Sequence, residues 1–456
     1  MRNNAAPLIA SIVFFAIIAV AYLQSSLLPF ALPIIAALGI AIAFAAFKFP
    51  WIMTFFIAAG SYFGSLFYLA EGFILPISLF QFFLFSALGL YILHILYFDS
   101  VKLKYTGYEL PVLLFIALIF LSLIYSPDRE TGFMNALRFV VLLVFVGYVI
   151  NTISSEKVVA GILSMLVVIS IALSGYASLE TIFNPQIAIQ NLTGTSLQRG
   201  SAAFYDDPNR FAAILFLPAA FTFSILNSEM STKVKVISAI GFLIILAGLF
   251  STFSRSGMLS FLVIGLIIVT VFRNWKTATI VGLILLLVIL AVPQLRSVLF
   301  INVERVVEAL TSAQDDSSGI RVMLGLAGVQ MFIDSYFLGV GFDAFSEYFT
   351  NYYTVQESIG VYEPHNITYT VMAELGLIGL FFYLFYLYVM VVHSWQNVKM
   401  SSTQLEKVVS TALFSAFIAY TLFYQFYGGG LFDSNLMLIH GLIFALNFKF
   451  AERFAS

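Results

Sequence analysis

The chain has 456 residues, of which 61% are hydrophobic, 10% are charged and none is cysteine, and its mean hydropathy is +1.01. This composition excludes a soluble domain, and the formal net charge of −2 gives no basic surface for nucleic acid. The absence of cysteine excludes disulfides, thiol catalysis and cysteine-based metal sites. We therefore expect an all-α polytopic membrane protein.

Long apolar runs recur along the whole chain and predict about 12–14 transmembrane helices, since a helix needs about 20 apolar residues to cross the hydrocarbon core. The first run, Leu8 to Leu23, follows Arg2 and is interpreted as an uncleaved helix rather than a signal peptide. An even number of spans places both termini inside. The predicted spans are near residues 8–28, 30–47, 51–70, 74–98, 110–125, 135–150, 158–179, 211–227, 234–250, 257–272, 277–293, 366–392, 409–427 and 431–448.

Basic residues sort by type when these spans are threaded through a bilayer with the N-terminus inside. Every lysine falls inside, which follows the positive-inside rule. The outer basic residues are all arginines: Arg129, Arg138, Arg199, Arg210, Arg255, Arg296, Arg305 and Arg321. The positive-inside rule treats both cations alike, whereas a guanidinium binds phosphate through two parallel hydrogen bonds. We therefore predict an outward-facing site for a phosphate-bearing substrate.

Two predicted outer loops are long. The first, Glu180 to Arg210, is polar and ends in the sequence YDDPNR. The second, Gln294 to His365, is the longest stretch without a predicted span and is expected to have structure of its own. It divides the predicted fold into a first transmembrane part at 1–293, the loop at 294–365, and a last transmembrane part at 366–456.

The second loop is predicted to contain two helices. From Leu299 to Leu310, apolar side chains share one helical face and charged ones the other, which is typical of an amphipathic helix on a membrane surface. The run Asp315 to Ser318 favours a helix start, and this helix is expected to continue to about Asp334. Gly339 and Gly341 then interrupt the pattern.

Four short segments at the predicted outer rim carry the candidate chemistry: YDDPNR, STFSRSG, GIR and PHN. In the second of these, Arg255 is the only charged residue between Lys235 and Arg273. A charge beside hydrocarbon is unfavourable unless it is paired, and such charges are often functional. The alternative is an interfacial anchor whose side chain reaches the lipid head groups. We interpret Arg255 as a phosphate-binding residue.

Three further arginines are candidates. Arg321 is predicted in the first turn of a helix, where free N–H groups and the helix dipole favour anions. Its alternative is a solvated charge or a partner for the Asp315–Asp316 pair. Arg199 and Arg210 are weaker candidates, and Arg210 has pairing with Asp206–Asp207 as its alternative.

The two aspartate pairs raise the question of a metal site, since oxygen-rich sites suit Mg²⁺ and Ca²⁺. Each pair, Asp206–Asp207 and Asp315–Asp316, also stands where a helix cap or a turn needs acidic residues. We favour the capping role and expect neither a metal nor a cofactor.

One of the four histidines stands apart by its position. His94, His393 and His440 lie within or at the inner end of predicted spans, where packing or a hydrogen bond is expected. His365 lies at the outer mouth of a span, directly after a proline. An imidazole there can accept a proton from an incoming hydroxyl near neutral pH.

The segment that begins at His365 also carries a recognisable pattern. It contains His365 and Asn366, then nine residues, then Gly376, two further residues and Gly379. This order resembles a known signature, which begins with His and one of Asn, Ser or Gln. In that signature nine residues follow, then Gly, two residues, and one of Gly, Thr or Tyr. Upstream, YDDPNRFA, STFSRSG and GIRVMLGLAGVQMFIDSYFLGVGFDAF occur in the same order. Together these segments, from roughly Gly194 to Leu380, resemble the O-antigen ligase and O-antigen polymerase superfamily of bacterial membrane glycosyltransferases.

This resemblance implies a metal-independent inverting transferase of the GT-C type in the bacterial inner membrane, with its active site on the periplasmic face. Its donor would be a glycan on undecaprenyl diphosphate, and its acceptor a glycan or lipid A core hydroxyl at the outer leaflet. The resemblance assigns the essential histidine to His365 and the outer-face arginines to Arg255 and Arg321. Arg199 and Arg210 are looser matches.

The sequence leaves several activities open. The family includes ligases, polymerases and members that glycosylate protein, and the predicted number of spans leans slightly toward polymerases. A flippase for lipid-linked sugars is the rival from another class, but transporters usually carry mid-membrane charges and internal repeats. The predicted spans are almost free of charge, and no repeat is visible. A non-catalytic scaffold of an envelope complex would not need His365.

Overall fold

The computed structural model describes residues 28–63, 78–98, 103–184, 200–203, 205, 207–277, 279–280, 282–283, 290, 316–352 and 364–455. Of residues 28–36, 316–321 and 454–455 it describes the backbone only. The first predicted span, the amphipathic helix predicted at 299–310 and most of the span predicted at 277–293 lie outside the described residues.

Every regular element in these ranges is a helix. In chain order the helices are α1 (Leu28–Lys48), α2 (Trp51–Tyr62), α3 (Leu79–Tyr97), α4 (Glu109–Ser122), α5 (Arg129–Thr152), α6 (Glu156–Phe183), α7 (Pro208–Ile214), α8 (Phe216–Asn227), α9 (Thr232–Ser251), α10 (Arg255–Phe272), α11 (Asp316–Asp334), α12 (Phe345–Phe349), α13 (Ile367–Met400), α14 (Gln404–Phe423) and α15 (Ser434–Ala455). Nine helical segments of the described chain, with α7 and α8 counted as one, are long and apolar enough to cross a membrane. The predicted all-α polytopic membrane fold is confirmed, while the total number of spans and the division at residues 293 and 365 stay predictions.

The core of the bundle is formed by the segment α7–α8. It is the most buried of the candidate spans, with 83% of an 18-residue stretch enclosed by protein. α8 packs against α6, α9, α10 and α14. At its start, Phe216 makes edge-to-face contacts with Tyr420 and Phe423, with ring centroids 5.3 and 5.5 Å apart. A helix that is apolar on all sides can be enclosed in this way without burying charged groups.

The outer surface of the bundle carries large exposed apolar side chains. Leu96 of α3 is 72% exposed, and Leu113 and Leu121 of α4 are each 60% exposed. On a water-soluble protein an apolar surface of this extent would promote association. In a multi-pass membrane protein the same faces contact lipid tails, which are as apolar as leucine.

The helix α5 begins earlier than the sequence predicted. The apolar run suggested a span at 135–150, but α5 starts at Arg129 because Asp128 caps it, accepting a hydrogen bond from Thr131 N at 3.0 Å. Arg129 therefore lies in the helix rather than in a loop. Arg138, one turn into the predicted span, lies in the third turn of α5, at 3.6 residues per turn.

Ion pairs join three helices at the end of the bundle that the charge pattern predicts to be inside. Glu406 of α14 binds both Lys449 and Arg453 of α15, with Lys449 Nζ 3.2 Å from Glu406 Oε1. Lys449 also pairs with Glu156 of α6. Glu406 is 2% exposed and closes a capping box with Thr403. The buried carboxylate is thus fully engaged and fixes the three helix ends relative to one another.

Candidate active site

The segment YDDPNR forms the start of α7, and its second aspartate caps that helix. Asp207 Oδ1 accepts hydrogen bonds from the backbone N–H of Asn209 at 2.6 Å and from Asn209 Nδ2 at 3.0 Å. Pro208 at the first helical position favours this start, because its missing N–H would have no helical partner. Arg210 follows Asn209 and has an exposed side chain.

The segment STFSRSG forms the tight turn between α9 and α10, and it is hydrogen-bonded to the start of α7. The Ser254 hydroxyl caps α10 by accepting a hydrogen bond from Gly257 N at 3.0 Å. The same hydroxyl donates to Asn209 Oδ1 at 2.7 Å. Arg210 directly follows Asn209, and Arg255 directly follows Ser254. The hydrogen bond therefore joins the two helix starts that carry these arginines.

The chain that leads into α7 lies on the same turn. Ser201 N donates to Ser251 O at 2.9 Å, and a Cβ atom at Gly200 would lie 2.4 Å from Thr252 O. Only a residue without a side chain permits this approach. Arg199 precedes the contact but lies outside the described residues, so its role stays a prediction.

His365 is placed at the mouth of α13 by the residue that caps this helix. Asn366 Oδ1 accepts a hydrogen bond from Tyr369 N at 3.0 Å, and Asn366 Nδ2 donates to Gln425 O at 3.0 Å. These bonds hold the start of α13 against the chain that follows α14. His365 stands just before the cap, with its side chain exposed.

Tyr427 joins the histidine to the start of α7. Its ring lies at 27° to the His365 imidazole, with the centroids 6.5 Å apart. Its hydroxyl donates to Asp207 Oδ2 at 2.9 Å. Contacts therefore run from His365 through Tyr427 and Asp207 to Asn209 and from there to Ser254, so three of the four predicted segments form one assembly.

A polar cavity of about 500 Å³ adjoins this assembly, and it lies between the N-terminal parts of α5, α7, α13 and α15. Among the described residues its lining contains the cations Arg138 and Arg210 and the acids Asp343, Glu374 and Asp433. The volume is within the range of ligand-binding pockets, about 300–1,000 Å³. The cavity therefore has both the size and the polarity of a substrate site.

An apolar cavity of about 160 Å³ lies beside the polar one, among α4, α5, α13 and α15. Its lining is almost entirely apolar and includes Phe115, Phe139 and Phe382. The two cavities share the lining residues Ile367, Tyr424, Gly430 and Leu431. An amphiphilic molecule matches this pair of surfaces, with its polar part in one cavity and its apolar part in the other.

A further cavity, of about 290 Å³, brings α11 next to the histidine. Leu324 and Gly325 of α11 line it together with Pro364 and His365. Pro364 also lines the polar cavity. The helix that carries Arg321 therefore packs beside the predicted catalytic residue.

The helix α11 ends at Asp334, as the sequence predicted, but it starts at Asp316, within the polar run rather than after it. The expected position of Arg321 in its first turn is wrong, because Arg321 is the sixth residue and lies in the second turn. Only the first four N–H groups of a helix are free, so the argument from free N–H groups does not apply to Arg321. The side chain of Arg321 lies outside the described residues, and its role stays a prediction.

The first glycine of the pattern that follows His365, Gly376, lies at a break in α13. Gly376 has φ +65°, and a Cβ atom there would lie 2.3 Å from Phe337 O. At the break Leu377 N donates to Phe337 O at 2.9 Å, while Val340 N donates to Ala373 O at 2.9 Å. The backbone groups freed by the break are thus bonded by the segment that follows α11, as burial in a membrane requires.

Three residues of this region escaped the sequence analysis as site residues: Tyr427, Asp207 and Arg138. Tyr427 directly precedes three consecutive glycines at the end of a predicted span, and this is the one sequence signal that marks it.

The histidines other than His365 make the packing contacts and hydrogen bonds that the sequence predicted. His94 Nδ1 lies 2.7 Å from Phe47 O, and His440 Nε2 lies 2.5 Å from the Tyr386 hydroxyl.

Comparison with protein families supports the broader assignment. Residues 240–384 match the family model described as O-Antigen ligase. The match supports the O-antigen ligase and polymerase superfamily, and with it a glycosyltransferase-type activity on lipid-linked glycans in a membrane. It contains Arg255, Arg321 and His365, whereas Arg199 and Arg210 lie before it. A comparison with curated proteins found no match.

Proposed function

We propose that the protein transfers a glycan from an undecaprenyl-diphosphate-linked donor to a sugar hydroxyl at the outer leaflet of the bacterial inner membrane. The observation that carries this proposal is the junction of the polar and apolar cavities at Ile367, Tyr424, Gly430 and Leu431. A lipid-linked glycan has a polar head joined to a hydrocarbon chain. The diphosphate fits the part of the polar cavity that Arg210 lines, and the first sugars fit the rest of it. The first isoprenoid units fit the apolar cavity.

In the proposed reaction His365 is the general base. Its imidazole takes the proton of the acceptor hydroxyl, and the resulting oxygen attacks the anomeric carbon of the donor. The bond from that carbon to the diphosphate breaks, and undecaprenyl diphosphate leaves with the electron pair. A single displacement of this kind inverts the anomeric configuration. The exposed imidazole then returns its proton to water.

The leaving diphosphate is stabilised by cations in this proposal. Arg210, Arg255 and Arg321 supply guanidinium groups, with Arg199 as a further candidate, and preformed charges act at the point where negative charge develops. A diphosphate held in this way needs no added proton and no metal ion. The engagement of Asp207 as a helix cap and as acceptor for Tyr427 supports the same view, because it gives this aspartate a structural role.

In this proposal Tyr427 positions the imidazole of His365. Its ring limits the orientation of the His365 imidazole, and its hydrogen bond to Asp207 ties that orientation to the helix that carries Arg210. The base and one phosphate-binding arginine are thereby kept in a fixed relation.

The test is transfer by the purified full-length protein in detergent, with undecaprenyl-diphosphate-linked glycan as donor. Separate reactions contain lipid A core, free glycan or a protein acceptor, since the three activities of the family differ in the acceptor. We expect a new glycosidic bond of inverted configuration by NMR and release of undecaprenyl diphosphate. If the donor remains intact with every acceptor but crosses the bilayer of reconstituted vesicles, the protein is a flippase and the proposal is wrong.

A further inference from the structure

The polar cavity has a second group of polar side chains, carried by α5 and by the segment 335–344 between α11 and α12. Asn135 Nδ2 donates a hydrogen bond to Asp343 Oδ2 at 2.6 Å. Arg138 Nη1 donates to Asn135 Oδ1 at 2.8 Å. All three residues line the cavity, so guanidinium, amide and carboxylate form an ordered row along its wall.

Asp343 is held in place from both sides. On its N-terminal side Phe342 N donates to the Ser122 hydroxyl at 3.0 Å, and on its C-terminal side Phe345 N donates to Glu374 Oε1 at 3.2 Å. Between these anchors Asp343 adopts φ +61°, a left-handed conformation that residues other than glycine rarely take. Strained residues fixed by their surroundings tend to occur at ligand sites.

The charges around Asp343 favour a neutral polar ligand over an anion. Burial raises the pKa of the Asp343 carboxyl, and the hydrogen bond from Asn135 opposes that shift. Glu374 and Asp433 line the same cavity, so a phosphate beside Asp343 would meet three acidic residues. A neutral sugar hydroxyl instead donates to a carboxylate and accepts from an amide or a guanidinium.

The ring of Phe432 completes this surface. Phe432 lines the cavity, is 36% exposed and lies 6.2 Å from Phe342 between ring centroids. Ligand pockets combine apolar and aromatic walls with a few fixed polar groups. The apolar face of a pyranose ring matches the aromatic side chain, while its hydroxyl edge matches the polar row.

We propose that Asn135, Arg138 and Asp343 form a carbohydrate subsite that binds the hydroxyls of one pyranose unit. The proposal rests on the proposed function for the source of that sugar, which is either the donor glycan or the acceptor. Asp343 Oδ2 is engaged by Asn135, and the described residues provide no hydrogen bond to Oδ1. A sugar hydroxyl donates to Oδ1, and Arg138 donates to a neighbouring sugar oxygen.

The first experiment measures sugar binding without any reaction. Saturation-transfer-difference NMR is recorded on the full-length protein in detergent, with methyl glycosides of glucose, galactose and N-acetylglucosamine as probes. We expect at least one glycoside to bind, and Asp343→Asn and Asn135→Leu to weaken its binding about tenfold, as for a lost hydrogen bond to a charged group. Glu347→Gln, which changes a nearby acid outside the cavity, should bind the glycoside as the native protein does.

Several results of this experiment overturn the subsite. The first is that the native protein binds no glycoside. The second is that Asp343→Asn and Asn135→Leu bind the glycoside as tightly as the native protein does. The third is that inorganic phosphate competes with the glycoside for the same site. Size-exclusion profiles of both variants establish that they are folded. Asn135→Leu keeps the carboxylate, so two different changes test the same contact.

The second experiment assigns the source of the sugar. If the sugar belongs to the acceptor, Asp343→Asn raises KM for the acceptor about tenfold and leaves KM for the donor unchanged. If the sugar belongs to the donor glycan, the same variant raises KM for the donor and leaves KM for the acceptor unchanged. Unchanged KM values for both substrates contradict the subsite. If the native protein binds glycosides through Asp343 but transfers none, the proposed transfer function fails and the subsite stands.

Discussion

The Ser254 hydroxyl donates a hydrogen bond to Asn209 Oδ1 at 2.7 Å, across 45 residues of sequence. This bond joins the cap of α10 to the second residue of α7, and an arginine directly follows each of the two residues. It makes the position of Arg255 depend on the start of α7, and the position of Arg210 depend on the turn before α10. In the proposed mechanism both arginines bind one diphosphate, so their relative position determines how well it is held.

Disruption of this bond should therefore weaken the binding of the donor. Asn209→Ala and Ser254→Ala are each expected to raise KM for the lipid-linked donor about tenfold, because a cap or a hydrogen bond of this kind contributes roughly 1 kcal/mol and the arginines also shift. The double variant should be little worse than either single one, since both remove the same contact. Ser164→Ala, on the exposed face of α6, serves as control. Multiplicative effects in the double variant contradict the coupling.

Replacement of Arg255 by lysine keeps the charge but removes the planar pair of donors. We expect Arg255→Lys to lower kcat/KM about 10²-fold, the typical loss of one preorganised donor to a developing anion. Arg321→Lys should behave alike. The control is Arg129→Lys, at the exposed start of α5. Steady-state kinetics with purified donor measures all three, and full activity in Arg255→Lys shows that a positive charge alone is sufficient.

Tyr427→Phe separates the two contacts of this tyrosine. The ring next to His365 is retained, while the hydrogen bond to Asp207 is lost. We expect kcat to fall about tenfold, because the loss of a hydrogen bond to a charged partner changes the free energy by roughly 1.5–3 kcal/mol. Tyr388→Phe, on an exposed position of α13, is the matched control. Native kcat in Tyr427→Phe contradicts the positioning role.

Gly376→Ala tests the break in α13. Its φ of +65° and the 2.3 Å approach of Phe337 O leave no room for a methyl group. We expect lower thermal stability in detergent, by about 1–3 kcal/mol, and loss of activity as the segment 335–344 shifts. Gly175→Ala is the control, because a Cβ atom there meets nothing within 4 Å. It should keep native stability or gain up to about 1 kcal/mol. A native melting temperature in Gly376→Ala contradicts this account.

Local patterns in the sequence were enough to predict part of the candidate site. A proline followed by a polar pair and an apolar run marked His365 as a candidate and predicted the start of α13, and the run Asp315 to Ser318 predicted the start of α11 to within three residues. The sorting of arginine from lysine placed Arg210 and Arg255 among eight outer arginines. Each of these inferences depends only on residues that are close together in the chain or on a property of the whole chain.

Other parts of the site depend on contacts that local patterns do not contain. Tyr427 and Asp207 are 220 residues apart, and neither has a periodicity that pairs them. Arg138 was not chosen as a site residue, and its span was predicted to start at residue 135 because the polar first turns of α5 do not resemble a transmembrane segment. The break at Gly376 was missed because apolar residues continue through it. Its cause is the segment 335–344, which supplies the missing hydrogen bonds.

The measurement that tests the central claim most directly is single-turnover transfer by His365→Ala. Purified full-length protein is mixed with lipid-linked donor and acceptor in detergent, with and without EDTA, and donor binding is measured separately. We expect the rate to fall about 10²–10⁴-fold, as for loss of a general base, while the affinity for the donor stays within about threefold of the native value. His94→Ala, which alters a histidine outside the three cavities, should react like the native protein, and EDTA should not slow either one. Near-native turnover in His365→Ala would contradict the mechanism, and inhibition by EDTA that Mg²⁺ reverses would contradict its metal independence.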